Sequence, residues 1–113
     1  MDDKFLQQLK KGILELLVLE TLCRGSTYGY ELLMGLKERA AFLESLKEGT
    51  LYPILYRLED EGLIVSGWSQ GEGRATPKKM YTATEKGHQE RQRRWQVWKA
   101  FSGMVEEFYQ EDL

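Results

Sequence analysis

The stretch from Gly49 to Gly62, GTLYPILYRLEDEG, constrains the fold of this chain more than any other. Leu51, Ile54, Leu55 and Leu58 stand at i, i+3, i+4 and i+7, the apolar stripe by which a short helix seats itself on a core. Thr50, Pro53 and Arg57 fall on another face at i, i+3 and i+7, with Tyr52 and Tyr56 beside them, so an outward row offers hydroxyls and one guanidinium to a partner. Pro53 has no N–H for the Gly49 carbonyl and its ring crowds that turn. An exposed helix start held against a partner tolerates this, and Gly49, lacking a Cβ, would let a backbone approach closely. Gly62 is placed to end the helix in a left-handed cap, after which Leu63 and Ile64 can fold back on its last turn.

The segments around this helix supply its scaffold. Phe5, Leu6 and Leu9 lead into the apolar run from Ile13 to Leu22, a first helix expected to be buried on several sides, with Lys10 and Lys11 ahead of that run either flanking DNA or simply solvated. Ser26 or Thr27 can cap a second helix reaching to about Arg39, with Tyr28 in its first turn. Ala40 to Lys47 is a connector with its own apolar residues, Phe42, Leu43 and Leu46. Leu63 to Trp68 suits a strand, SQGEG a loop tip, and Lys79 to Ala83 a returning strand. Helix, cap and hairpin in this order is the arrangement of a winged helix-turn-helix, in which the helix enters the DNA major groove and the hairpin reaches an adjacent groove or backbone.

Thr84 can cap a final helix of some 27 residues, Glu85 to Glu111. Trp98, Phe101, Val105 and Phe108 recur along it at +3, +4 and +3, with Trp95, Val97, Met104 and Tyr109 widening the stripe. So long an apolar face has to pack, most simply against its copy in a second chain. A chain of 113 residues has room for one core and an appendage. The expected division is a winged helix-turn-helix domain over 1–83 and a dimerisation helix over 84–113, mainly α with a small β-hairpin wing.

The net charge of -2 is mildly unfavourable for nucleic acid, but its distribution is segregated. Arg74, Lys78 and Lys79 fall between Gly73 and Lys79 with no acid, whereas Glu59, Asp60 and Glu61 cluster at the far end of the central helix and read as solvated. Arg91, Arg93 and Arg94 read as a solvated face or as partners for Glu90 and the acidic tail.

With GTLYPILYRLEDEGLI, the preceding YGYEL and the later KKMYTATEKG in view, the sequence resembles the PadR family of bacterial transcriptional regulators, from Gly12 to the final helix. The resemblance implies a homodimer that usually represses genes by covering an inverted-repeat operator in double-stranded DNA. It places Tyr28, Thr50, Tyr52, Pro53 and Arg57 at positions that face DNA, and Arg74, Lys78 and Lys79 in the wing. Lys47 departs from the family, where a serine able to cap the recognition helix is common, and GRATPKK stands where relatives often have Gly-Arg-Pro-Arg-Lys. Some small members stack flat aromatic compounds between the subunits on a tryptophan of the last helix, a position matched here by Trp98. Trp95 and Phe101 are candidate helpers, and plain interface core is the alternative for all three.

No enzyme is expected: there is no Ser/His/Asp or Cys/His set and no phosphate loop. His88 has no second ligand in view, and Cys23 is the only cysteine, so no metal site, cofactor or internal disulfide is anticipated. The acidic start MDDKF and the broken apolar run from Gly12 to Leu22 point to neither a signal peptide nor a membrane span, and the expected compartment is the cytoplasm. Two other functions share parts of this pattern: a dimer that sequesters a hydrophobic ligand, and a winged-helix module that binds protein.

Overall fold

Residues 3–69 and 76–110 are described by the computed structural model of the chain. Their order is α1 (Lys4–Arg24), β1 (Thr27–Tyr28), α2 (Gly29–Arg39), a 3-10 turn (Ala41–Leu43), α3 (Glu48–Asp60), β2 (Ile64–Trp68), β3 (Lys79–Ala83) and α4 (Glu85–Gln110). Glu111, the expected last residue of α4, lies outside the described residues. No described helix is long and apolar enough to cross a membrane.

The core is the meeting point of three helical stripes. Leu51, Ile54, Leu55 and Leu58 of α3 are at most 3% exposed, and they pack with Leu14, Val18, Leu19 and Leu22 of α1 and with Leu32, Leu33 and Leu36 of α2. Leu43 and Leu46 close the cluster from the connector, while Phe42 next to Leu43 points to solvent. The expectation that α1 is buried on several sides holds from Ile13 to Cys23, where every residue is buried or half-buried, but not for its first half. Its fully buried residues run from Leu14 onward, and Phe5 and Leu9 remain 73% and 53% exposed because no described residue covers them.

A third strand, not read from the sequence, completes the sheet. Thr27 and Tyr28 pair antiparallel with Tyr81 and Met80, so the strand order is β1-β3-β2. Ser26 and Thr27 therefore do not cap α2. The N-cap is Tyr28, extended and without a side-chain cap bond, and Ser26 instead exchanges a hydrogen bond with the Thr82 hydroxyl at 2.9 Å. Two residues make too short a pattern to reveal a strand; only the partner strand defines it.

The C-terminus of α3 is closed as its glycine suggests. Gly62 has φ 77, the Gly62 N–H donates to the Glu59 carbonyl at 3.0 Å, and the Leu63 N–H donates to the Leu58 carbonyl at 2.9 Å. This is the paired bonding of a Schellman cap. The chain then meets the start of α4. Thr84 donates from its hydroxyl to the Gly62 carbonyl at 2.7 Å, accepts from the Gly87 N–H at 3.0 Å, and gives its own N–H to the Leu63 carbonyl at 3.0 Å. Gly87 is the one buried residue of α4, and a Cβ there would overlap the Leu63 carbonyl oxygen.

Gly87→Ala should therefore cost about 2–4 kcal/mol by forcing backbone apart at this joint. Gly62→Ala should cost about 1–2 kcal/mol through its left-handed φ alone. Urea unfolding of the two variants checks the order; equal losses would mean that the contact at Gly87 relaxes freely.

Candidate nucleic-acid interface

The outward side of α3 carries the expected residues in two groups. Thr50, Pro53, Tyr56 and Arg57 are exposed, the reverse of the buried stripe. Tyr52 departs from this row. It is half-buried against the core, with its hydroxyl beside Gly29, where a Cβ would come within 2.6 Å of it. Burial pushes its phenol pKa up, with smaller contributions from Glu48 and Tyr56. The glycine of YGYEL thus makes room for a tyrosine two elements away. Gly49 meets no described neighbour within 4 Å of where a Cβ would stand, so no close approach occurs there among the described residues. Lys47 is the N-cap of α3 and makes no side-chain cap bond.

Tyr52 joins a groove of about 480 Å3 between α3, the start of α2 and the sheet, where Tyr28, Tyr56, Trp68, Lys78 and Lys79 also line the walls. Ile64, Ser66 and Trp68 share one face of β2 by strand alternation. Ile64 enters the core, the Ser66 hydroxyl donates to Glu59 at 2.6 Å, and Trp68 reaches the groove, 70% exposed. Glu59 is accordingly not a solvated helix end but a tie between α3 and β2. The Lys78 ammonium lies 5.4 Å from the Tyr28 ring centroid and 3.6 Å from Glu31, and the Lys79 ammonium lies 5.9 Å from Trp68 and 5.8 Å from Tyr81. Tyr28 is the N-cap of α2 rather than part of its first turn, and this aims its ring at the groove. Arg74 lies outside the described residues. Thr50, Pro53 and Arg57 open onto a separate cleft on the α1 side of α3.

A second site lies between α1 and α4. Leu9, Gly12, Ile13 and Leu16 of α1 and Arg94, Val97, Trp98 and Phe101 of α4 each follow i, i+3, i+4, i+7, and with Arg93 they line an apolar cleft of about 350 Å3. Trp98 and Phe101 are brought together there. Trp95 is not: at about 100° per residue it sits more than a quarter-turn from the centre of that stripe, 47% exposed, with the Lys99 ammonium 5.7 Å from its ring centroid.

Ion pairs hold α4 in place. Arg91 donates twice to Glu20 of α1, at 2.5 and 3.1 Å, and not to an acid of its own helix. Arg93 and Arg94 do pair with Glu90, and Arg94 also comes within 3.9 Å of Glu15 and Glu61. Glu15 in turn stands 3.6 Å from Arg57, so its carboxylate lies between an arginine of the outward row of α3 and one of the Trp98 cleft. Sequence reasoning missed Glu15 and Glu20, because nothing in α1 alone marks which of its polar residues meets a helix 70 residues later. Cys23 is half-buried against the core, and burial raises its thiol pKa.

Among relatives, residues 18–93 match the model of the transcriptional regulator PadR-like family. The chain belongs to that family. A curated relative, the negative transcriptional regulator PadR of Bacillus subtilis, is 36% identical over 78 residues, which cover 69% of this chain and 42% of that protein. The chain thus spans less than half the length of this relative. A PadR-family transcriptional regulator from Eggerthella lenta superposes with a TM-score of 0.84 at 30% identity, covering 96% of this chain and 91% of that one. A PadR-like transcriptional regulator from Bacillus cereus gives 0.77 at 30% identity, covering 93% and 99%. The fold is that of these winged-helix proteins, and the family is one of transcriptional regulators, not enzymes.

The ion pairs make folding pH-dependent. Hydrogen bonds from Arg91 hold the Glu20 carboxyl at about 2, down from 4.5, and those from Arg93 do the same for Glu90. A depressed folded pKa means that both pairs contribute fully above the ordinary carboxylate range and lose their contribution as pH falls from about 5 toward 2. Urea midpoints should drop over that range. Glu20→Gln should lower the midpoint near neutral pH and flatten part of the drop, whereas an unchanged curve would show the Glu20 pairs to be inert.

Proposed function

We propose that this protein is a homodimeric repressor that binds an inverted-repeat operator in double-stranded DNA and is released by a small aromatic effector. The observation that carries the reading is the exposed row Thr50, Pro53, Tyr56 and Arg57 on a helix whose other face is fully seated, flanked by a groove bearing Lys78 and Lys79. Hydroxyls and lysines suit phosphates, and an arginine can grip guanine with two bonds. The printed name of the Bacillus subtilis relative supports negative regulation.

Pairing is supported by the uncovered apolar surface of α4. Val97, Phe101 and Phe108 are 53, 56 and 75% exposed, and Phe5 and Leu9 of α1 are exposed as well. An antiparallel second copy would cover these faces and set two α3 helices about 34 Å apart, one turn of DNA. Residues 1–83 would then carry the DNA and 84–113 the pairing, in the cytoplasm where that DNA resides. An occupant of the cleft at Trp98, Phe101 and Ile13 would shift α4 against α1 and with it the spacing of the two recognition helices.

Fluorescence anisotropy on the protein's own upstream DNA and on a scrambled duplex tests the reading. Salt-dependent binding that favours the native fragment is expected, and Arg57→Ala should weaken it by about 1–3 kcal/mol, roughly 5- to 150-fold. A ligand-sequestering dimer would ignore that substitution, and a protein-binding module would show no preference between duplexes. In DNA-free protein, anilinonaphthalenesulfonate should quench tryptophan emission in wild type and in Trp95→Ala but not in Trp98→Ala. Quenching that survives Trp98→Ala would place the ligand elsewhere.

A further inference from the structure

We infer that the cleft on the α1 side of α3 seats a backbone phosphate of duplex DNA, so that Lys10 and Lys11 are DNA contacts; the inference rests on the DNA-binding reading above. The cleft has a volume of about 580 Å3. Gln7, Lys10 and Lys11 line it from α1, Ser45 from the connector, and Thr50 and Arg57 from α3. Leu14, Leu46 and Ile54 contribute to its apolar lining. Gln7, Lys10, Lys11 and Leu14 stand at i, i+3, i+4 and i+7, so one face of α1 carries both the buried leucine and the lysines.

The chemistry of this lining is one-sided. Three cations and two hydroxyls meet there with no carboxylate among the lining residues, in a chain whose 18 acids outnumber its 16 lysines and arginines. Such a site recognises a phosphate oxygen. It has little with which to read a base edge beyond Arg57, because lysine acts as a point charge toward phosphate.

The placement selects the DNA backbone over a free anion. A helix with its side chains is about 10–12 Å across, and the major groove is about 12 Å wide. The two sugar-phosphate strands bounding the groove must therefore run close along both flanks of an inserted α3. One flank has the groove with Lys78 and Lys79, and the other has this cleft with Lys10 and Lys11. Each flank thus offers a lysine pair to one strand. The wing and the start of α1, far apart in sequence, become the two sides of a single cradle.

The test is anisotropy of the full chain carrying Lys10→Ala, Lys11→Ala or both, on native and scrambled duplexes across a salt series. The double variant should lose affinity by the same several-fold factor on both duplexes. Its log–log salt slope should shrink by about 0.9, the share of the one phosphate the two lysines hold. Lys10→Arg with Lys11→Arg should keep the slope, and Lys4→Ala, on the same helix but outside the cleft, should change nothing. A single methylphosphonate at the flanking phosphate should weaken wild type and leave the double variant unaffected.

An unchanged slope in a double variant that binds DNA overturns the seat alone, and a loss confined to the native fragment overturns it as a phosphate contact. Competition by inorganic phosphate far beyond that of chloride at equal ionic strength would make it a free-anion site. Wild-type protein that binds neither duplex removes the DNA reading itself and the seat with it. Unfolding midpoints matching wild type confirm that the variants fold.

Discussion

The joint between the end of α3 and the start of α4 is the constraint on which the rest of the molecule depends. Gly62 turns the chain through a positive φ, Leu63 and Ile64 enter the core, and the Thr84 hydroxyl bonds to both the Gly62 carbonyl and the Gly87 amide. Gly87 lets α4 approach the Leu63 carbonyl more closely than any side chain would allow. Lys86 adds a bond to the Glu61 carbonyl at 2.9 Å. The direction of α4 is thereby tied to the direction of α3. If α4 is the pairing helix, that tie converts the geometry of a dimer into the spacing of two recognition helices, and slack at the joint would be felt at the DNA.

A second set of ties runs through charge. Glu20 binds Arg91 and Arg24, and Glu15 stands between Arg94 and Arg57, so α1 links α4 to α3 electrostatically beside the direct approach of Arg94 to Glu61 at the end of α3. In the proposed complex Arg57 would exchange Glu15 for DNA, at little expense because the pair is 3.6 Å apart with the arginine side chain 56% exposed. The same arrangement places the carboxylate within reach of an arginine that borders the Trp98 cleft. A change at that cleft has a short physical route to the outward row of α3, through α1 and without passing through the core.

Helix α3, its Schellman cap, the hairpin strands and the Thr84 cap were legible in the residues because each is a local pattern. A leucine stripe, a glycine at a helix end, and a threonine before a helix each carry their meaning within a few positions. The strand Thr27–Tyr28, the half-buried turn of Tyr52 and the role of Glu59 were not legible. Each of these is defined by a partner from a distant segment: Met80 and Tyr81, Gly29, and Ser66. The Trp95 and Trp98 pair shows the same limit, since a stripe on one helix reveals which residues are apolar but not which of them faces α1.

What the amino-acid order determined by itself was therefore the four α-helices and the two hairpin strands, their sequence, and the identity of the helix that is presented outward. Hydrophobic periodicity and capping act over one or two turns, and those interactions are written in consecutive residues. What only the tertiary structure decided was how polar groups far apart in the chain are combined: Arg91 with Glu20, Arg57 with Glu15, and Lys10 and Lys11 with Thr50 and Arg57 around one cleft. Charges act through space and carry no periodic signature. Their meaning appears only when packing of the apolar stripes has set the distances between them.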